Sequence, residues 1–445
     1  MLRSLIWRTL ITNFALAGLG LVNSILLSRW LGPAGRGEVA AAMLWPTLLV
    51  YLSSLGLITG ILYFAALPES KPQAIFANGL WLGLSQGAAA ILVGFAALPW
   101  LLRSQTGEVV VAGRVYLLVI PISLIIQYGI SILQGQMRIV AFNRLRLILP
   151  AGYLVGTIIL MLAGQLALLN IILLHLLLNV IVIVAMLMAL SKSGIYPRLG
   201  VHGALARQML KYGAKVHIGN ITGLANMSLD QVLMAAWLPP TYLGLYVVAV
   251  SAAGLAQIFS QAVQMVLTPR ITQKESLAER AAVLQGAFRR YWLLSFLVTL
   301  LIAALLPVAL PLVFGANFKE AVWPAEVLLL GIFFLGAKDV LSGGAQALGN
   351  PWLGSKAHLI AMFVTVALLY LLLPPLGIMG AAIATAAANG TQLVVVAYGL
   401  RQTHLISLTG LFRFKTTDLL AALNLSELVK GQRERLAPVS RESQS

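Results

Sequence analysis

Lys338 and Asp339 stand near the middle of a long apolar run, about ten residues from either end of it. A charge that far inside a membrane has to be paired, wetted or used. Lys338, Ser342 and Gln346 are spaced by four, so they share one helix face. Such a face, lining a wet cavity, would meet an anionic group. The alternative is an ion pair of Lys338 with Asp230 or Asp339 that only holds helices together. Asp230 lies about two helical turns inside the end of its own run. It suits either a cavity carboxylate, bonding hydroxyls or taking a coupling proton, or an inter-helix hydrogen bond. Asn13, Asn23, Asn220 and Asn226 give two helices a polar stripe, which serves a cavity or helix packing equally well. Arg29 and Arg114 sit near run ends, as an anion-attracting ring or as cations snorkelling to the interface.

Other chemistries find little support. The chain has no cysteine, which removes disulfides, thiolate nucleophiles and cysteine metal sites. His175, His202, His217, His358 and His404 show no HExxH or other close metal-ligand spacing. No GxxxxGK[ST] loop is present to cradle a nucleotide. A polymerase or ligase would want a long outer loop carrying catalytic Arg or His. None is seen, so no enzyme is expected, and neither is a cofactor beyond a coupling H+ or Na+.

The elements that must position these residues are membrane helices. Of 445 residues, 60% are apolar and 10% are charged, against about 25% charged in soluble proteins. Apolar runs long enough to span recur from end to end. The reading is an all-α polytopic membrane protein with twelve transmembrane helices, at roughly 10–28, 39–62, 76–102, 115–137, 147–166, 168–190, 216–238, 242–267, 291–314, 325–348, 353–375 and 376–400. The opening MLRSLIWRTLITNF leads straight into the first of these and reads as its start.

Charge sets the orientation. With the N-terminus in the cytoplasm, 24 Lys and Arg fall in cytoplasmic segments and five in outer loops. This asymmetry places both termini in the cytoplasm of a multi-pass inner-membrane protein. It also accounts for the net charge of +17 without a nucleic-acid partner. Arg138, Arg144, Arg146 and Arg270 belong to this basic face, with attraction of an anionic head group as their alternative role. The longest cytoplasmic connection, about 191–215, lies at the midpoint. Residues 1–198 and 199–400 therefore read as two six-helix bundles, followed by a cytoplasmic tail, 401–445. That tail opens with an amphipathic stretch, LTGLFRFKTTDLLAALNLSELV, and ends polar.

The two halves share a phrase. WLGPAGRG at Trp30–Gly37 and WLPPTYLG at Trp237–Gly244 both spell W-L-x-P-x-x-x-G, 207 residues apart. At the same offset Asn13 meets Asn220, Asn23 meets Asp230, and Ala42, Leu48 and Ser53 meet Ala249, Leu255 and Ser260. Trp suits the interface, and Pro and Gly turn the chain into the next helix. Six spans per half is even, so the halves are parallel repeats about an axis along the membrane normal, as in transporters with a central cavity. Glycines 79, 83 and 87 form overlapping GxxxG patterns and read as helix packing.

Several motifs then carry a resemblance. LSRWLGPAGRGE, LDQVLMAAWLPPTYLGLYVVA, VLTPRI, LVFGANFKEA, QALGNP and LPPLGIMGAAIATAAAN occur in that order. Together, over about residues 5–400, they resemble the polysaccharide flippases of the multidrug/oligosaccharidyl-lipid/polysaccharide exporter superfamily. The resemblance implies a V-shaped pair of six-helix bundles working by alternating access. It implies a lipid-linked oligosaccharide substrate carried on undecaprenyl pyrophosphate; whether a polysaccharide polymerase or synthase partner docks on the loops is left open by the sequence. The alternative in the same superfamily is a cation-coupled multidrug exporter. Those relatives tend to use carboxylates in the first half, whereas Glu38, Glu69 and Glu108 here lie only at span ends or loops. The lipid II flippase branch adds two C-terminal helices, and residues 401–445 hold no apolar run of that length. A non-transporting scaffold would tolerate neutral residues at Lys338 and Asp230.

Overall fold

A computed structural model describes residues 2–196, 200–257, 260, 263, 271, 274–350, 352–402 and 406–413, with backbone alone for 2–6, 218–227 and 408. Arg270, most of VLTPRI and the tail beyond Arg413 lie outside the described residues.

The described chain is helical. In order it forms α1 (Leu2–Ser53), α2 (Leu57–Ala66), α3 (Pro72–Leu101), α4 (Gly107–Tyr116), α5 (Val119–Gly135), α6 (Ile139–Leu162), α7 (Leu168–Lys192), α8 (Gly203–Trp237) and α9 (Pro240–Ala253). There follow α10 (Leu277–Phe314), a 3₁₀ turn (Ala316–Ala321), α11 (Val322–Ala347), α12 (Trp352–Arg401) and α13 (Leu408–Phe412). Eight helical stretches among the described residues are long and apolar enough to cross a membrane.

Two of those stretches are too long for one crossing. A straight helix of 50 residues would reach about 75 Å, more than twice the roughly 30 Å hydrocarbon core. Both α1 and α12 break at a glycine with positive φ, Gly32 (φ 65) and Gly377 (φ 54). A methyl on Gly380 would overlap the Leu372 carbonyl, so the chain doubles back tightly after LPPLG. The WLGPAG and LPPLG punctuation thus falls where the helices break.

The expected span 39–62 differs from the structure. The helix stops at Ser53 and α2 starts at Leu57, because Leu55 (φ 48) and Gly56 (φ 73) leave helical geometry in succession. Gly56 lies against the Gly213 carbonyl of α8, where a methyl would overlap it. The break lets the two backbones cross closely.

The midpoint connection is also more ordered than a linker. Its second half is helical, because α8 starts at Gly203 and continues unbroken to Trp237. The buried Asn78 of α3 clamps its start: Asn78 Nδ2 donates to the His202 carbonyl (3.1 Å) and Asn78 Oδ1 accepts the His202 N–H (2.9 Å). Gln73 donates to the Gly194 carbonyl at 2.9 Å.

The chain forms two compact units. The first contains residues 1–252, 306–328 and 362–385. In it Gly79, Gly83 and Gly87 of α3 face Tyr128, Ile125 and Pro121 of α5, the helix packing that small residues permit. Tyr128 is fully buried and donates to Gln86 at 2.7 Å. The second unit contains residues 253–305, 329–361 and the chain from 386 onward. Phe288, Tyr291, Leu341 and Leu400 lie in its core. The first tail residues fold onto it. Ile406 and Leu411 are buried, Arg289 donates to the Gly410 carbonyl at 2.6 Å, and Phe412 packs edge-on to Phe288 at 5.7 Å.

Candidate functional site

Lys338 lies mid-helix on α11 in the second unit. Its side chain is 4% exposed and that of Asp339 is 28% exposed, and Nζ reaches Asp339 Oδ1 at 2.8 Å. The four-carbon stem lets an ammonium reach the carboxylate of its neighbour. Lys338 Nζ also lies 3.2 Å from His358 Nε2 on α12. One ammonium therefore joins two helices and keeps its carboxylate partly open. Of the face predicted with it, Ser342 is buried, with an Oγ that has no partner among the described residues, and Gln346 is exposed. His358 was considered in the sequence only for metal spacing. A histidine inside an apolar run one helix after a buried lysine was the signal that could have found it.

Asp230 lies in the first unit and is 5% exposed. Both of its oxygens are engaged. Oδ1 accepts from the Gln231 N–H at 2.7 Å; Oδ2 accepts from the Tyr246 hydroxyl at 2.5 Å and the Thr385 hydroxyl at 3.1 Å. The carboxylate thus ties α8 to α9 and α12. Tyr246 and Thr385 stand 16 and 155 residues away, and nothing local in the sequence marks them. Lys338 pairs with Asp339, not with Asp230, the other partner that the sequence allowed.

Asn13 and Asn23 both carry an Oδ1 that is buried without a partner among the described residues. Asn23 lies within hydrogen-bonding reach of Tyr153, which also feels the charge of Arg36. The Arg36 Nε is likewise buried without a partner among the described residues. The Asn220 side chain lies outside the described residues.

Arg29 serves as a cap. Its guanidinium donates to the carbonyls of Val313 (2.7 Å) and Leu312 at the end of α10, which is where a cation offsets a helix C-terminus. Arg114 lies over the Phe95 ring at 4.3 Å and near its carbonyl at 3.4 Å.

One further half-buried polar group, weighed in the sequence only for metal spacing, is a histidine. His175 of α7 lies 2.9 Å from the Tyr116 hydroxyl and 3.1 Å from Asn179 Nδ2, with the Tyr153 ring edge-on at 5.1 Å. It is held by hydrogen bonds and ring contacts. No group of three metal-ligating side chains occurs among the described residues.

The described helices form a multi-pass membrane protein, and solved structures share the fold. The structure of the lipid II flippase MurJ in an inward closed conformation superposes with a TM-score of 0.67 at 12% identity, over 95% of this chain and 92% of that one. An inward-facing multidrug resistance MATE family transporter of the MOP superfamily superposes at 0.68 and 15% identity, over 87% and 94%. Identities this low speak to the fold alone. The profile of the family described as polysaccharide biosynthesis protein matches residues 26–323. The chain belongs to that family. A relative, the probable low-salt glycan biosynthesis flippase Agl15 of Haloferax volcanii, is 27% identical over 199 residues, 44% of this chain. The match spans 42% of that relative's length.

Proposed function

We propose that this chain is a flippase that moves lipid-linked oligosaccharide repeat units, carried on undecaprenyl pyrophosphate, across the cytoplasmic membrane for surface polysaccharide synthesis. It works by alternating access between two parallel-repeat six-helix bundles, residues 1–198 and 199–400, with both termini and the 401–445 tail in the cytoplasm. A proton or Na+ gradient is the proposed driver, and a polysaccharide polymerase or synthase the proposed partner.

The observation that carries this reading is the buried Lys338 beside the half-open Asp339. A buried cation in an apolar helix is costly to keep, and an anionic head group gives it a use. The twofold arrangement has its own support. Gly37 meets Pro240 and Gly244 meets Pro33, the exchange that two repeats about one axis would produce. Drug export on the same fold has no comparable support, since the family match is to polysaccharide biosynthesis.

The test is transport of fluorescent lipid-linked oligosaccharide in proteoliposomes, comparing wild type with Lys338→Ala and Asp230→Asn. Flipping by the wild type that Lys338→Ala abolishes, while the variant keeps its fold, supports the reading. A wild type that flips no glycan offered, or a Lys338→Ala variant that flips normally, overturns it.

A further inference from the structure

The basic face of the first unit contains a cavity of about 470 Å³ that the transport reading does not use. It is bordered by the turn before α3, the turn before α6, and Ser193, Gly194, Ile195 and His202. Its walls are built. Gln136 donates to Ser70 Oγ at 3.0 Å, Gln73 donates to the Gly194 carbonyl, and Asn78 clamps His202.

The lining is one-sided in charge. Lys71 and Arg138 both face the cavity, and no carboxylate lines it among the described residues. Neither cation pairs with a carboxylate among the described residues. The Ser70 hydroxyl, which accepts from Gln136, keeps its own O–H as a donor, whereas that of Ser193 donates to the Ala189 carbonyl at 3.0 Å. Lys71, Arg138 and His202 are also the N-cap residues of α3, α6 and α8, and none of the three caps its helix through its side chain. An N-cap is ordinarily Ser, Thr, Asp or Asn, whose oxygen accepts from the first N–H groups. Here three helix starts, each with uncapped N–H groups and a partial positive charge, converge on one cavity that already holds two full cations. Lysine supplies a point charge and arginine a two-pronged donor. The volume lies within the range of small-ligand pockets, about 300–1,000 Å³, so it admits a phosphate together with its ester group.

We infer that this cavity is a phosphoanion site, taking either the phosphate of an anionic lipid head group or a free pyrophosphate. The inference needs no flipping and stands apart from the transport reading.

Full-length protein in detergent is compared with Lys71→Gln/Arg138→Gln and with Lys356→Gln, a basic exposed position away from the cavity. Both cavity cations are exposed, so folding should survive, and the single variants serve if the double variant does not fold. Native mass spectrometry scores adducts of phosphatidylglycerol against phosphatidylcholine. Thermal shift scores inorganic pyrophosphate. A preference for phosphatidylglycerol that falls about tenfold in the double variant and survives Lys356→Gln identifies a lipid phosphate. Stabilisation by pyrophosphate lost in the double variant, without lipid preference, identifies the free anion. Equal behaviour of wild type and double variant in both assays overturns the site.

Discussion

Gly37 lies against the carbonyl of Pro240, and Gly244 lies against the carbonyl of Pro33, so the two W-L-x-P-x-x-x-G phrases pack on each other reciprocally. A methyl on either glycine would overlap a backbone oxygen, which cannot rotate away as a side chain can. Gly37→Ala and Gly244→Ala should therefore force the two helix ends apart. Each should lower the thermal unfolding midpoint in detergent, at a cost of about 1–3 kcal/mol as for other overpacked positions. Because the contacts are reciprocal, the two variants should behave alike. Two unchanged midpoints would show that this contact contributes nothing.

Asp230 is the acceptor for two hydroxyls on two other helices. Tyr246→Phe removes one charge-assisted bond and should destabilise the protein by about 1–2 kcal/mol, toward the low end for a membrane interior. Asp230→Asn keeps an acceptor and should cost less than Asp230→Ala. A double-mutant cycle of Asp230→Ala with Tyr246→Phe, read by thermal or denaturant unfolding, should give a coupling of at least about 0.5 kcal/mol. Additive effects would mean that the bond does not hold these helices.

These particulars show what the sequence makes legible. Chain breaks at Gly32 and Gly377 are written locally, since WLGPAG and LPPLG combine interface, turn and breaker residues within a few positions. The packing role of Gly79, Gly83 and Gly87 follows from their spacing of four. The partners of Asp230 are not written locally, because Tyr246 and Thr385 become its neighbours only when three helices pack. The break at Leu55–Gly56 was hidden for the same reason: its cause is Gly213, far along the chain. His358 stands between these cases, visible as an oddity in an apolar run but without a stated partner. Arg29 stood in the sequence near the end of its own run, as part of an anion-attracting ring or as a cation at the interface. The end that it serves, Leu312 and Val313, belongs to α10.

Asn78 is fully buried and makes both hydrogen bonds with the backbone of His202. Asn78→Ala removes two hydrogen bonds and leaves the N–H and carbonyl of the exposed His202 to water, at a cost of about 0.5–1.5 kcal/mol each. The start of α8 should loosen from α3. Hydrogen exchange over residues 193–205 should speed up, while exchange in α5 stays as in the wild type. An unchanged pattern would show that the clamp is redundant with the Gly56–Gly213 crossing.

The last prediction separates the two roles left open for Lys338. Removing one member of a buried ion pair strands the other charge, whereas removing both relieves it. Lys338→Met should therefore be destabilising, less so than for a fully buried pair because Asp339 is half-open, and Lys338→Met/Asp339→Asn should recover much of the loss in a thermal unfolding assay. If the pair only holds structure, transport by the double variant should recover along with stability. If Lys338 also meets an anionic head group, stability should return and transport should not, since no cation is left to meet the phosphate. Lys338→Arg keeps the charge but replaces a compact ammonium with a planar fork. In the head-group role it should retain part of the transport that the double variant lacks. Reconstituted flipping measured beside the unfolding midpoint of each variant distinguishes the two outcomes.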